Sequence, residues 1–428
     1  MSRRLTRRAA LAAAGAAGAA TAGALALRGG RDGDGPARPT VAAVPGLPAA
    51  QHAWDAVLRR DEHGNPLLPR HHRILLLDLA RRPDRAGRAR LEDALRRLER
   101  RHPYRPDGLL TLLAWGPAYF AAIGRPSPVP EPTALTPDEA PEPETAACCL
   151  VLASDDEARL AAAERALVGD AGRDRDAGDR DAGGDGAREG AGGDNGALAG
   201  VLRLRARRTG FAGAGLPARA QHAGLAGTRQ PIARDAPLFM GFKSGLRRNQ
   251  ATEEDVTIPS GPLAGGTTLH LSTLALELDS WYELSERDRV ARMYAPQVTP
   301  AQAARFTDDA PAPAERLERT AARYGRVGHV QALATVRRDG RPRILRRDVN
   351  TVDDGGPGLY FLSLQRSIDD FVATRQAMSA ARSRAAPGLD GVLNNGINEW
   401  MRVTRRGNFA VPPRRDRAFP LLEAAGDA

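Results

Sequence analysis

The same order of short apolar runs and amphipathic helical segments occurs twice along this chain of 428 residues. In the first half, strand-like runs alternate with segments whose leucines recur at helical spacing. The runs that predict strands are HHRILLLDLA (71–80), DGLLTLLAWGPAYF, AACCLVLAS and ALAGVLRLRARR. The segments that predict helices are RARLEDALRRLERR (88–101) and DDEARLAAAERALVG, the second capped by Asp155 or Asp156. The resulting order, β-α-β-β-α-β, is that of a ferredoxin-like unit.

The second half repeats this order with longer elements. GGTTLHLSTLALELD (265–279) predicts a long strand, and SWYELSERDRVARMY predicts a helix that Ser280 would cap. GHVQALATVRRDGRPRILRRDVN predicts a helix or strand, a turn at Asp339-Gly340 and then a strand. The remaining segments predict a strand, a helix and a short terminal strand: GLYFLSLQ, IDDFVATRQAM and GNFAVPP. We therefore expect an α+β fold with two ferredoxin-like halves, residues 51–210 and 211–428, and a ligand crevice in the second.

The N-terminal segment MSRRLTRRAALAAAGAAGAATAGALA (1–26) has a basic start, an alanine-rich apolar stretch and a small-residue end. This pattern is typical of a secretory signal, and the twin arginines Arg3-Arg4 and Arg7-Arg8 resemble the Tat signal. The basic start of an ordinary Sec signal is the alternative. Residues 27–50, rich in alanine, proline and glycine, indicate a linker. We expect export by the Tat translocase to the periplasm or the outside of the cell.

Composition and spacing disfavour several other classes of site. Charges of both signs are interspersed and aromatic residues make up only 4% of the chain, whereas nucleic-acid-binding surfaces combine a basic stripe with stacking aromatics. We therefore expect no nucleic-acid partner. The only two cysteines, Cys148 and Cys149, are adjacent in an apolar run, which predicts small core residues of a strand. The segment 170–196 has too few apolar residues to build a core and is predicted to be a disordered insert.

An ordered set of motifs links the chain to a known family. The second half contains GFKSG, GGTTLHLSTLALELDSW, GHVQ, RILRRD, GLYFLSLQ and NEWMRVTRRGNFAVPP, and the first half contains DGLLTLLAWGPAYF and CLVLASDDEARLAAAERAL. In order and spacing these motifs, which cover about residues 70–413, resemble the dye-decolourising peroxidase family. The resemblance implies two ferredoxin-like halves of the dimeric α+β barrel type, packed around a crevice that binds haem b without a covalent bond.

The resemblance also implies roles for individual residues. His329, in GHVQ, matches the iron ligand, and a neutral imidazole there would leave one haem face open for peroxide. Glu399, in NEW, stands where the family has an acid that accepts the second ring N–H of that ligand. The alternative for Glu399 is a solvent-exposed helix position. Arg346, in RILRRD, matches the arginine that stabilises the charge of a breaking O–O bond, and strand alternation would turn only one of Arg346 and Arg347 inward. Asp348 stands where some relatives carry an amide.

The motif GFKSG resembles the family's haem-edge loop, Gly-x-x-Asp-Gly. The resemblance implies contact with the cofactor for Gly241, Phe242, Lys243 and Gly245. Ser244 stands where the family's aspartate shuttles a proton between the two oxygens of peroxide. A hydroxyl can hydrogen-bond to peroxide, but its high pKa prevents it from acting as the base that a carboxylate is. A neighbouring acid could instead reach in, and the candidates are Glu253, Glu254 and Asp255.

These observations predict an exported haem b peroxidase of the dye-decolourising type. It would reduce peroxide with an electron donor of unidentified chemistry, with weakened proton transfer because of Ser244. The alternative is a haem-binding or haem-handling protein of the same fold without turnover. A homo-oligomer is compatible with such a chain.

Overall fold

The computed structural model describes residues 46–137, 139–169, 196–304, 317–378 and 396–422. The predicted export signal (1–26), residues 27–45 of the predicted linker and residues 170–195 of the predicted insert lie outside these ranges. None of the helices within the described ranges combines the length and the apolar character that a membrane-spanning helix requires.

The first half contains the predicted β-α-β-β-α-β order with three short additional strands and one additional helix. Its strands are β1 (Arg59–Arg60), β2 (Pro66–Leu67), β3 (His71–Leu79), β4 (Leu110–Trp115), β5 (Glu142–Pro143), β6 (Cys148–Ser154) and β7 (Leu202–Phe211). Its helices are α1 (Arg85–Arg101), α2 (Pro117–Ala122) and α3 (Glu157–Val168). Of the two cap candidates for α3, Asp156 caps the helix, because its side chain accepts a hydrogen bond from the Arg159 backbone N–H at 3.1 Å.

The second half repeats the arrangement. Its strands are β8 (Thr267–Leu276), β9 (Leu345–Arg346), β10 (Val349–Thr351), β11 (Gly358–Gln365) and β12 (Met401–Val411). Its helices are α4 (Leu216–His222), α5 (Leu278–Glu283), α6 (Glu286–Met293), α7 (Pro300–Ala303), α8 (Leu317–Tyr324), α9 (His329–Leu333) and α10 (Ile368–Ala377).

The sheet confirms the predicted α+β class with two ferredoxin-like halves. The strands lie in the order β7-β3-β6-β4 in the first half and β12-β8-β11-β9 in the second, and the neighbours within each half run antiparallel. The halves join at two edges. At one edge β12 pairs with β4, and at the other β10 pairs with both β7 and β11, so that the sheet closes on itself.

Strand alternation sends each strand's side chains to two different cores. In β3, Ile74 and Leu76 point into the core enclosed by the sheet, whereas Leu75 and Leu77 pack under α1 and α3. In β8, Leu269 and Leu271 face the enclosed core. The opposite face of β8 is not filled in this way, and the functional cavity lies against it.

Two predictions for the second half are wrong. The segment predicted as one helix capped by Ser280 forms two helices, α5 and α6, and Ser280 lies inside α5. Ser285 caps α6 instead, because its Oγ accepts a hydrogen bond from the Asp288 backbone N–H at 3.1 Å. The predicted short terminal strand is the eleven-residue β12, which pairs with β8 along nearly its whole length.

Candidate functional site

A cavity of about 1160 Å³, its open mouth included, lies against the face of β8 and β11 that is turned away from the enclosed core. The walls are mostly apolar and contain four methionines, Met240, Met293, Met378 and Met401, whose flexible thioether chains adapt to irregular shapes. Among the 28 described residues that line the cavity are five of the residues that the sequence singled out: Phe242, Lys243, Ser244, His329 and Arg346.

His329 is the first residue of α9 and is placed by close backbone contacts. A Cβ on the preceding Gly328 would lie 2.0 Å from the Tyr294 carbonyl oxygen, so only glycine fits there. Gly396, at φ +62°, approaches so closely that a Cβ would lie 2.5 Å from the backbone nitrogen of His329. The Gln331 side chain then accepts a hydrogen bond from the Gly328 N–H at 3.4 Å. These contacts fix the start of the helix and direct His329 to the cavity.

The His329 imidazole is held in its neutral form. Burial, followed by the charges of Arg346 and Arg375, lowers the pKa of His329 to about 3. A neutral imidazole has a nitrogen lone pair free to bind a metal ion, which a protonated ring does not have. His329 is therefore in the protonation state that metal binding requires.

The structure does not bring Glu399 to His329. Glu399 lies in a short 3₁₀ turn (Asn398–Trp400), its side chain is 49% exposed, and its carboxylate lies 3.6 Å from the Arg292 guanidinium. It does not line the cavity, and the described residues show no hydrogen bond between it and His329. This placement agrees with the alternative of an exposed acid.

The two arginines of RILRRD point in opposite directions, as strand alternation requires. Arg346 lines the cavity, and its buried Nε has no hydrogen-bond partner among the residues that the structure describes. Arg347 instead packs 4.1 Å over the Trp54 ring and donates to Glu253 at 3.0 Å. Because Asp348 lies two residues beyond Arg346, it faces the cavity as well.

Asp348 is the only acidic residue among the described residues that line the cavity. It is 7% exposed, its Oδ2 accepts a hydrogen bond from Ser244 Oγ at 2.6 Å, and its Oδ1 has no partner in the described part of the chain. Burial raises the pKa of Asp348 to about 6, against the opposing effects of Arg346 and Ser244. The sequence alone assigned no role to Asp348, although its i, i+2 spacing from Arg346 predicts that both side chains lie on the same side of the segment.

The loop GFKSG owes its shape to two glycines in the left-handed region. Gly241 has φ +85° and Gly245 has φ +80°, and side chains rarely adopt such values. The glycines do not line the cavity, but they turn the three residues between them towards it. Of these, Lys243 also forms an ion pair with Asp61 of the first half.

None of the three acids considered as substitutes for a loop aspartate lines the cavity. Glu253 accepts hydrogen bonds from two backbone N–H groups and from Arg347, and Asp255 pairs with Arg341 at 3.0 Å. Glu254 is exposed.

A buried charge cluster forms another part of the cavity wall. Arg375 of α10 and Arg406 of β12 share the carboxylate of Glu139, at 2.6 Å and 2.8 Å. Three of their buried donors, Arg375 Nη1 and Arg406 Nε and Nη2, have no hydrogen-bond partner in the described structure. With Lys243 and Arg346, the described lining carries four cationic side chains and a single carboxylate, which suits an anionic ligand. Sequence reasoning missed both arginines, because an arginine-rich composition gives no signal that separates them.

Solved structures with the same fold are dye-decolourising proteins. DyPB from Rhodococcus jostii RHA1 superposes with a TM-score of 0.53 at 14% identity, over 89% of this chain and 99% of that chain. A variant of the same protein in complex with haem gives 0.53 at 14% identity, over 86% and 98%. The dye-decolorizing protein from V. cholerae gives 0.51 at 14% identity, over 84% and 97%. At these identities the likeness establishes the fold.

No curated protein matches the chain by sequence. The model of one protein family matches residues 69–413, which is most of the chain. The chain therefore belongs to this family, which is described as a family of unknown function (DUF7405).

Proposed function

We propose that the cavity binds haem b and that the protein is a haem peroxidase of the dye-decolourising type, which reduces peroxide with a second substrate as the electron donor. The observation that carries this proposal is the presence in one cavity of a neutral histidine, His329, and of Arg346, which has a donor without a partner among the described residues. The fold of dye-decolourising peroxidases supports it.

The described residues fit haem in three respects. His329 would hold the iron, since its imidazole is neutral and faces the cavity. The methionine, leucine and phenylalanine side chains would cover an apolar macrocycle. The unpartnered donors of Arg375 and Arg406 would bind carboxylates, and haem b carries two of them. When bound, the haem iron supplies the electrons that cleave the O–O bond of peroxide.

The protein's own contribution is charge stabilisation and orientation. Arg346 would donate from its free Nε to a peroxide oxygen and stabilise the negative charge that develops there. The apolar walls would exclude bulk water, which strengthens this interaction. Ser244 cannot itself accept a proton at neutral pH, and this observation favours haem handling without turnover as the second candidate.

Haem titration followed by peroxide kinetics tests the proposal and separates the two candidates. Purified protein is titrated with haem, and the Soret absorbance is expected to reach its end point at one haem per chain. Hydrogen peroxide and a dye are then added to the loaded protein, and dye is expected to be consumed in proportion to peroxide. Tight haem binding without dye oxidation would establish the haem-handling candidate. No Soret change on titration would contradict both.

We also propose that the protein is exported by the Tat translocase, on the strength of the paired arginines near its N-terminus. Replacement of Arg3, Arg4, Arg7 and Arg8 by lysine keeps the charge but removes the twin-arginine motif. We expect the variant to remain in the cytoplasm at normal expression, as measured by cell fractionation. Export at the wild-type level would indicate the Sec route instead.

A further inference from the structure

Ser244 and Asp348 form a hydrogen-bonded pair at the cavity wall, and the direction of this bond distinguishes their roles. Ser244 donates its hydroxyl proton to Asp348 Oδ2 at 2.6 Å, because an ionised carboxylate can only accept. The bond occupies one carboxylate oxygen and leaves Oδ1 buried, with no partner among the described residues. A buried polar atom without a partner is rare in a folded protein, and a catalytic role, a bound ion or a water molecule is what usually accounts for one.

We propose that Asp348 is the proton-transfer residue of this cavity and that Ser244 positions it. The inference rests on the proposed function and adds to it the base that the loop itself lacks. Asp348 is suited to the role because it lies beside Arg346, on the same side of an extended segment, and both present unpartnered atoms.

No other acid competes for this role within the described lining. The remaining charged or titratable groups that face the cavity are Lys243, Tyr294, His329, Arg346, Arg375 and Arg406. Glu139, the acid of the charge cluster, already binds both Arg375 and Arg406.

The pair also explains why position 244 is a serine. An aspartate in the same place would bring a second carboxylate within hydrogen-bonding distance of Asp348, and two carboxylates so close cannot both be ionised. A hydroxyl, in contrast, donates a hydrogen bond and holds the carboxylate in one orientation. Thus the carboxylate of the cavity belongs to residue 348, in the short connection between β9 and β10, and the loop residue complements it.

The proposed step moves a single proton. Asp348 accepts the proton that peroxide loses from one oxygen on binding and returns it to the other oxygen, which leaves as water. The two electrons that break the O–O bond come from the iron cofactor of the proposed function. Arg346 stabilises the negative charge while the proton is on Asp348.

The first test measures proton abstraction without turnover. Hydrogen cyanide must lose a proton to bind to ferric haem, so its association rate reports a base beside the iron. In the haem-loaded protein, Asp348→Asn is expected to slow cyanide association and the reaction with peroxide by about 10²-fold or more. The double change Ser244→Asp with Asp348→Asn moves the carboxylate from position 348 to position 244. It is expected to restore part of the cyanide association rate and part of the peroxide rate. Asp354→Asn, in an exposed turn, is the matched control and is expected to leave both rates unchanged.

A second test needs no haem. Infrared difference spectra of the haem-free protein, taken below and above pH 6, are expected to show the C=O band of a buried carboxylic acid that is absent from Asp348→Asn. The inference would be overturned if Asp348→Asn binds haem normally and its cyanide and peroxide rates stay within two-fold of wild type. That result would leave the proposed function intact. Absence of haem binding by the wild-type protein would overturn both.

Discussion

At the scale of single residues, Asp348 carries a free-energy cost that depends on pH. Its pKa is raised from 3.8 to about 6, mainly by burial, so the folded protein favours the protonated form more than the unfolded chain does. The protonated carboxyl group of Asp348 therefore makes its full contribution to stability below pH 3.8, and this contribution is lost as the pH rises through about 6. Arg346 and the Ser244 hydroxyl reduce this cost but do not remove it.

The variant Asp348→Asn isolates this cost, because asparagine does not titrate. We predict that the free energy of unfolding of the haem-free variant, relative to wild type, rises by about 3 kcal/mol in total as the pH increases from well below 3.8 to well above 6. The other charged groups of the cavity are present in both proteins, so the difference reports Asp348. Urea denaturation at a series of pH values measures it. A difference that stays constant over this range would show that the carboxyl group has an ordinary pKa.

At the scale of secondary-structure elements, local pattern predicted most of the strands and helices. β3, β6 and β11 coincide closely with their apolar runs, because a strand between two packed faces needs continuous apolar residues. β8 lies within a run of alternating apolar residues. The break between α5 and α6 was missed, since Ser280 and Ser285 are equally good caps by sequence and only packing selects between them.

The candidate site was predicted in part. The resemblance to dye-decolourising peroxidases implied that His329, Arg346 and Ser244 share one cavity, and all three line it, but the resemblance gave no sign of the charge cluster. Arg375 and Arg406 depend on Glu139, which lies more than 200 residues away in the chain. No local pattern encodes such a contact.

The junction of α3 and β7 allows a test of the segment 170–195. The residues that flank it lie in contact: Ala197 donates to the Ala166 carbonyl at 3.0 Å, and a Cβ on Gly196 would lie 2.3 Å from the Gly169 nitrogen. We predict that replacement of 170–195 by two glycines keeps haem binding and raises the free energy of unfolding by about 1–2 kcal/mol, since a shorter loop loses less entropy on closure. Chemical denaturation measures the free energy of unfolding, and haem titration measures haem binding. A variant that no longer folds would show that the segment contributes to the core.

At the scale of the whole molecule, the first half completes a cavity that the second half lines. Asp61 pairs with Lys243, and Glu139 pairs with Arg375 and Arg406, so two of the counter-charges come from outside the second half. Closure of the sheet at both edges holds the halves in register. The charge balance of the cavity is therefore a property of the entire closed sheet.

The central claim is that His329 binds the iron of haem in this cavity, and replacement of its side chain by an external ligand tests it most directly. His329→Gly removes the imidazole, while His63→Gly removes an exposed one as the control. We predict that His329→Gly binds haem about ten-fold or more weakly, equivalent to about 1.4 kcal/mol, with an altered Soret band. Added imidazole is expected to restore the wild-type spectrum, and the control should match wild type throughout. Wild-type haem affinity and spectrum in His329→Gly without imidazole would contradict the claim.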